Sequence, residues 1–133
     1  MTMTTLPVTS FYAAFFGMLL FALSVLVIRA RVNARVAIGL GEDIRLLRAS
    51  RAQGNFTEYA PMLLLLLLLL ELAGAGPFLL HALGGLALAG RVAHAMGISR
   101  EPENLKLRQL GMALTFTVLG LAPLLLLARI AFA

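Results

Sequence analysis

The chain contains 133 residues, of which 61% are hydrophobic, and it carries a formal net charge of +5. A soluble domain of this length cannot bury so much apolar surface, so the composition excludes a soluble protein and indicates one small membrane domain. The chain has no cysteine, which excludes disulfides and thiolate metal sites. Ten of the eleven Lys and Arg residues lie between Arg29 and Arg108. Their clustering in two connecting regions is typical of membrane topology and not of a nucleic-acid partner.

The hydrophobic pattern predicts an all-α membrane protein, a four-transmembrane-helix bundle in a single domain covering residues 1–133. The first apolar run, residues 11–28, is too long for the hydrophobic region of a signal peptide, so it predicts a retained span. Gly39 and Gly41 interrupt the pattern after this run, and turns that contain Gly and Pro follow the second and third runs. The predicted helices cover about residues 7–31, 43–74, 77–96 and 102–132.

The distribution of basic residues predicts how the helices are oriented. The first and third connections with their flanks are rich in arginine, whereas the turn at residues 74–77 has no basic residue. The positive-inside rule then predicts that the first and third connections are cytoplasmic. The result is an up-down-up-down bundle with the N- and C-termini outside. The third helix is predicted in the middle of the bundle, because its many Gly and Ala residues allow close helix approach.

The second predicted helix carries a polar face just before its leucine-rich half. At about 100° per residue, Arg48, Arg51, Asn55 and Glu58 fall within one arc. Glu58 precedes the outer turn by about 24 Å at a rise of ~1.5 Å per residue, which is within a hydrocarbon core of about 30 Å. A charged side chain at that depth costs about 2.5–3.5 kcal/mol on insertion scales, so it faces a partner, a cavity or a ligand.

Two interpretations of this polar face stay open. In the first, Asn55 and Glu58 satisfy Arg51 and a neighbouring helix in a buried structural network. In the second, the face is a clamp for an anion and an amine that opens to the cytoplasm. Arginine binds carboxylates through two hydrogen bonds, and Glu58 can accept from an ammonium or a peptide N–H. The two interpretations are compatible with each other.

Further polar side chains lie near the helix ends. Arg91 and His94 are three residues apart on one face of the third helix. Either Arg91 extends to the membrane interface and His94 is a hydrogen-bonded structural histidine, or both contact a ligand. Arg108 opens the fourth helix, either as a topology anchor or as a cation that stabilises a thiolate, the reactive form of a thiol whose free pKa is about 8.5. Glu71 and His81 face the outer side, and a structural or interfacial role is predicted for both. No metal-ligand spacing is present, and no metal is predicted.

These residues resemble the MAPEG family, the membrane-associated proteins of eicosanoid and glutathione metabolism. The most specific likeness is the pattern R-x-x-x-N-x-x-E-Y-x-P at residues 51–61, in the second helix. Residues 90–95 resemble the family's R-x-x-H/Y segment, and residues 107–111 resemble the R-x-x-G start of its fourth helix. The likeness covers roughly residues 6–130 and is nearest to small bacterial inner-membrane members.

The resemblance implies a homotrimer in the bacterial inner membrane, with glutathione as co-substrate between neighbouring subunits at the cytoplasmic side. It implies Arg108 as the catalytic residue that stabilises the thiolate. Either Arg29 or Arg31 would bind a carboxylate, and the choice between them stays open. Gln53 is a weaker candidate, because it projects to the other side of its helix. The implied glutathione-binding residues are Arg29, Arg31, Arg51, Asn55, Glu58, Tyr59, Arg91 and His94.

The leading hypothesis is a glutathione-dependent membrane transferase or peroxidase that directs the glutathione thiol against hydrophobic electrophiles or lipid hydroperoxides. Its partners would be membrane lipid and a hydrophobic small-molecule electrophile that enters from the bilayer. The alternative is a non-catalytic membrane scaffold that binds lipid or glutathione. A third class, the small multidrug transporters, carries an essential carboxylate in the first helix, and here residues 7–28 have no charge.

Overall fold

The computed structural model describes residues 5–132, which form four α-helices and no strand. These are α1 (Pro7–Ala34), α2 (Ile44–Leu72), α3 (Pro77–Ser99) and α4 (Leu105–Ala131). All four are long and apolar enough to cross a membrane. Even α3, with 23 residues, measures about 35 Å at a rise of ~1.5 Å per residue. The predicted all-α four-helix membrane fold is confirmed, whereas the orientation of the helices and termini across the bilayer stays a prediction.

Side-chain caps determine where α2 and α4 begin. The Asp43 carboxylate accepts a hydrogen bond from the backbone N–H of Leu46 at 2.7 Å. Asn104 does the same for the first turn of α4, at 3.0 Å. Such caps satisfy N–H groups that have no partner inside a helix. Because Asn104 is the cap, α4 begins at Leu105 and not near Pro102, where the sequence pattern had placed its start.

α3 runs past Gly97, which the sequence pattern indicated as a helix break. Gly97 is buried, and a Cβ atom at this position would lie 2.7 Å from the backbone nitrogen of Arg108 and 2.9 Å from the carbonyl oxygen of Asn104. The glycine is therefore needed for close packing between α3 and the start of α4. α3 ends at Ser99, and α1 likewise continues three residues beyond its predicted end.

α2 and α3 form the centre of the bundle. Each contacts the other as well as α1 and α4, whereas α1 and α4 do not contact each other in the part of the chain that the structure describes. The outward faces of α1 and α4 expose large apolar side chains, such as Phe21 at 72% and Leu127 at 63% exposure. A surface of this kind matches lipid tails, which are as apolar as leucine. The predicted central position of α3 is therefore shared with α2.

Glu71 joins α2 to the beginning of α1. Its carboxylate accepts hydrogen bonds from the backbone N–H groups of Val8 and Thr9, at 3.0 and 2.7 Å. These N–H groups belong to the first turn of α1, where they have no partner inside the helix and form the positive end of its dipole. At the same end of the bundle, the Tyr12 hydroxyl donates to the carbonyl oxygen of His81 at 2.9 Å. Glu71 therefore has a structural role here, as predicted.

Replacing Glu71 by Gln keeps the shape of the side chain and removes its charge. We expect the free energy of unfolding to fall by about 1 kcal/mol, because the first turn of α1 loses its anionic cap. The measurement is the midpoint of thermal unfolding in detergent, followed by circular dichroism. Glu101→Gln changes an exposed carboxylate in the connection between α3 and α4 and is the matched control. Equal midpoints for the two variants would contradict the capping role.

Candidate functional site

One arginine lies buried between three helices. Arg91 of α3 is 1% exposed. Its Nε donates to the Thr115 hydroxyl of α4 at 3.0 Å, and one terminal nitrogen donates to Oδ1 of Asn55 in α2 at 2.6 Å. The other terminal nitrogen lies 3.4 Å from the sulfur of Met112. The guanidinium group therefore joins α2, α3 and α4.

The charge of Arg91 has no carboxylate partner among residues 5–132. It is compensated by the neutral acceptors and by the Tyr59 ring, whose centroid lies 5.0 Å from the guanidinium carbon. Tyr59 also packs edge to face with Phe116, with 5.8 Å between the two ring centroids. We call Arg91, Asn55, Tyr59 and Thr115 the inner cluster. A cation at membrane depth without a counter-charge is costly, so the inner cluster favours an anion nearby.

Two glycines allow α3 and α4 to approach closely enough to form the inner cluster. A Cβ atom on Gly111 would lie 2.5 Å from the backbone nitrogen of His94 and 2.6 Å from the carbonyl oxygen of Gly90. The Gly111 carbonyl also accepts from the Thr115 hydroxyl at 2.8 Å. His94 is 4% exposed and packs where the two backbones meet. The predicted pair Arg91 and His94 is therefore buried on the α4 side of α3.

A second polar group lies at the end of the bundle where the first and third connections meet. A groove of about 250 Å³ is bounded by the start of α2, the end of α3 and the start of α4, and its polar lining is Arg48, Arg51, Glu103 and Arg108. The Glu103 carboxylate forms an ion pair with Arg108 and lies 3.9 Å from Arg48. Arg51 forms no ion pair with any described residue. We call this feature the mouth groove; it combines three cations with one carboxylate.

The structure divides the predicted polar face of α2 into two parts. Arg48 and Asn55 are about 20° apart around the helix, and Arg51 and Glu58 are also about 20° apart, but the two pairs differ by roughly 60°. The first pair points toward α3 and the α3–α4 connection, where Arg48 meets Glu103 and Asn55 meets Arg91. The second pair is exposed. Within residues 5–132, Asn55 therefore belongs to a buried network that joins helices, but its partner is Arg91, and neither Arg51 nor Glu58 forms an ion pair.

The two candidate arginines of α1 lie on different surfaces. Arg29 lines a cleft of about 680 Å³ between α1, the start of α2 and the α3–α4 connection, and Arg45 and Arg48 line the same cleft. Arg31 donates to the carbonyl oxygen of Gly39 at 2.6 Å and borders a separate surface. Because Arg48 borders both the cleft and the mouth groove, Arg29 is the α1 arginine nearer to the other cations.

Sequence reasoning missed some contacts of the site. Glu103 was not singled out, although a carboxylate just before a helix that opens with basic residues is a local signal for such an ion pair. Met112, which contacts Arg91, has no signal of its own in the sequence. Gln53 points away from both clusters, as predicted, and its amide donates to the Ser24 hydroxyl of α1 at 2.8 Å. No group of three potential metal-ligating side chains occurs within residues 5–132.

The chain matches a known protein family over nearly its whole length. The family model of the MAPEG family matches residues 9–132. The chain belongs to the MAPEG family. It is also similar to the inner membrane protein YecN of Escherichia coli strain K12, with 36% identity over 117 residues, which is 88% of each chain. The YecN protein of Escherichia coli O6:H1 shows the same identity and coverage.

No solved structure matches the chain. The family and the relatives nevertheless define its general class. It is an integral inner-membrane protein of the family of glutathione and eicosanoid metabolism.

Proposed function

We propose that this protein is a glutathione-dependent membrane transferase or peroxidase, which activates the glutathione thiol for attack on hydrophobic electrophiles or lipid hydroperoxides. The observation that supports this most is the mouth groove, with Arg48, Arg51 and Arg108 around the single carboxylate Glu103. Two positive charges are in excess there. Glutathione offers two carboxylates and one ammonium, and its charge becomes more negative when the thiol ionises. The charges of groove and ligand are therefore complementary.

Binding would use the exposed and half-buried groups of α2. Arg51 is free of ion pairs among the described residues and is suited to bidentate capture of a carboxylate. Glu58, two turns further along α2, is suited to accept from the ammonium group. Asn55 and Tyr59 lie between the mouth groove and the membrane interior. Arg29, across the adjoining cleft, supplies a further cation for the second carboxylate.

The chemical step would begin when the thiol releases its proton to water. Arg108 would stabilise the resulting thiolate. In transfer, the sulfur forms a bond to an electrophilic carbon and the leaving group departs. In peroxide reduction, the thiolate attacks one peroxide oxygen, the O–O bond breaks and the alkoxide takes a proton. A second glutathione then attacks the oxidised sulfur, which gives glutathione disulfide and water.

A homotrimer is part of the proposal, because a neighbouring subunit would shield the exposed Arg51 and Glu58 of α2 from lipid. Glu58 lies about 21 Å from the far end of α2 at a rise of ~1.5 Å per residue, so it is within the depth of a bilayer core. An isolated subunit would present this carboxylate to lipid, which is costly. A neighbouring subunit beside α2 would enclose Arg51 and Glu58 together with the ligand. The side that opens to water would be cytoplasmic by the positive-inside rule.

A second candidate function rests on the ion pair in the mouth groove. Arg108 is engaged by Glu103, and a neutralised cation stabilises a thiolate less effectively. This arrangement favours a membrane scaffold that binds glutathione or a lipid and catalyses no reaction. The two functions differ in whether the bound thiol ionises at neutral pH.

The deciding experiment measures glutathione binding and thiol ionisation together. Purified protein in detergent is titrated with glutathione, binding is followed by calorimetry, and the thiolate is followed by its ultraviolet absorbance. Saturable binding with a thiolate signal supports the enzyme. Binding without the signal supports the scaffold, and the absence of binding contradicts the enzyme and leaves only a scaffold that binds lipid. Electrophiles and lipid hydroperoxides are then tested for turnover on the same preparation.

Replacing Arg51 by Ala should weaken glutathione binding by about 10- to 100-fold. A hydrogen bond to a charged group contributes about 1.5–3 kcal/mol, and ~1.4 kcal/mol corresponds to a factor of ten. Calorimetric titration of the variant in detergent gives the dissociation constant. Arg100→Ala removes the same charge from an exposed arginine that does not line the mouth groove, and it should bind like the wild type. If both variants lost affinity equally, a general charge effect would replace the assigned role of Arg51.

A further inference from the structure

Arg91 fixes the orientation of the Asn55 amide. A guanidinium group has only hydrogen-bond donors, so the Asn55 atom that faces it must be the oxygen. The contact is short, 2.6 Å, and the same Arg91 nitrogen also lies 3.4 Å from the backbone carbonyl oxygen of Asn55. Thr115 and Met112 hold the remaining nitrogens of Arg91. The guanidinium group therefore cannot turn away without breaking contacts to α4.

The amide nitrogen of Asn55 is consequently left for another partner. No described residue accepts a hydrogen bond from it, and Asn55 is only partly buried. Asn55 lies one turn along α2 from Arg51 and one turn from Glu58, the two exposed charges of the helix. The free NH₂ group thus opens beside the proposed glutathione site.

We propose that Arg91 is a positioning residue that makes Asn55 a hydrogen-bond donor to the ligand. The ligand atom at Asn55 is then an acceptor, a carboxylate or peptide carbonyl oxygen, and not the ammonium group or a peptide N–H. The ammonium is left to Glu58. This inference rests on the proposed function for the identity of the ligand, whereas the direction of the Arg91–Asn55 hydrogen bond can be tested without any ligand.

The discriminating substitution is Asn55→Asp, which has nearly the same shape. The aspartate keeps an oxygen toward Arg91 and gains an ion pair with it, but it replaces the outward donor by a negatively charged acceptor. We expect the midpoint of thermal unfolding in detergent to stay at or above that of the wild type. We expect glutathione affinity by calorimetry to fall about tenfold or more, because a ligand oxygen then faces another acceptor. If Asn55 served only the stability of the fold, Asn55→Asp would not lower glutathione affinity while keeping the unfolding midpoint.

Two control substitutions test the contribution of Asn55 to stability and the role of Arg91 separately. Asn55→Ala removes the oxygen that Arg91 contacts, so it should lower the unfolding midpoint whether or not a ligand binds. Arg91→Lys keeps a cationic donor for the Asn55 oxygen but cannot hold Thr115 at the same time, so it should retain part of the glutathione affinity. That partial rescue is expected of a positioning residue.

Each result has one meaning. If Asn55→Asp binds glutathione as tightly as the wild type, or more tightly, the ligand offers a donor at Asn55 and the proposal is overturned. If Asn55→Asp lowers the unfolding midpoint as far as Asn55→Ala, Arg91 does not hold the Asn55 oxygen and the proposal is also overturned. If the wild-type protein does not bind glutathione, the proposed function fails, and the unfolding midpoints still decide the orientation of the amide.

Discussion

Replacing Arg108 by Ala is expected to remove the thiolate absorbance of bound glutathione and to lower turnover by about 100- to 1000-fold, the usual effect of losing one group that stabilises a developing anion. Glutathione binding should change much less, because Arg51, Asn55 and Glu58 remain in place. Ultraviolet absorbance, calorimetry and steady-state kinetics on one preparation separate the three quantities. This result would distinguish the proposed role of Arg108, action on the thiol, from the proposed role of Arg51, binding of the tripeptide.

The position of Arg108 supports an effect of this size. The residue lies in the first turn of α4, where the helix dipole is already positive and disfavours a cation. A guanidinium group there costs stability, and Glu103 offsets the cost by an ion pair. In the proposed reaction, the helix terminus and the guanidinium group would act together on an approaching thiolate. Removal of Arg108 should therefore leave the fold intact, since the unfavourable charge disappears with the side chain.

Two companion variants decide how Arg108 acts. Arg108→Lys keeps the charge without the planar fork and should retain a thiolate signal weaker than that of the wild type. Glu103→Gln releases Arg108 and Arg48 from their shared carboxylate and should increase the thiolate fraction at a given pH. If Arg108→Ala and Arg51→Ala lose binding equally, the division of roles between them is wrong. If Glu103→Gln shows no thiolate in a protein that binds glutathione, the scaffold function is favoured.

Helical periodicity predicted which polar residues share a face of α2, but not which of them meet a partner. The arc from Arg48 to Glu58 was visible in the sequence, because angles around a single helix follow from spacing alone. The division of that arc depends on where α3 and the α3–α4 connection pack, which is a tertiary property. A difference of about 40° around the helix is enough to bring Asn55 to Arg91 and leave Arg51 exposed. Spacing on one helix does not resolve a contact with another.

The four spans were predictable because lipid demands long apolar helices, whereas the packing of the site depends on single atoms. Gly97 was interpreted as a break because glycine is a frequent helix terminator, yet here it is buried against Asn104 and Arg108. Glycine either ends a helix or allows close helix packing, and only the position of the neighbouring helix shows which of the two applies. The contact of Arg91 with Thr115 similarly joins residues 24 positions apart, which no local pattern connects.

Replacing Gly111 by Ala is expected to destabilise the protein more than any other single methyl group added to α4. The new Cβ atom would lie 2.5 Å from the backbone nitrogen of His94 and 2.6 Å from the carbonyl oxygen of Gly90. Both neighbours belong to the backbone of α3, so no side-chain rotation relieves the clash and the two helices must separate. Overpacking of this kind costs about 1–3 kcal/mol or more, which should appear as a lower midpoint of thermal unfolding in detergent.

The consequences of Gly111→Ala should extend to the ligand, because the Arg91–Thr115 contact exists only while α3 and α4 stay close. Glutathione affinity is therefore expected to fall together with stability, although the new methyl group lies outside the proposed binding residues. Gly120→Ala is the matched control: it adds the same group to the same helix, nothing lies within 4 Å of the added atom, and alanine favours the helix over glycine by up to about 1 kcal/mol. Gly120→Ala should thus equal or exceed the wild type in both measurements. If the two variants behaved alike, close approach of α3 and α4 at Gly111 would not be what holds Arg91 in place.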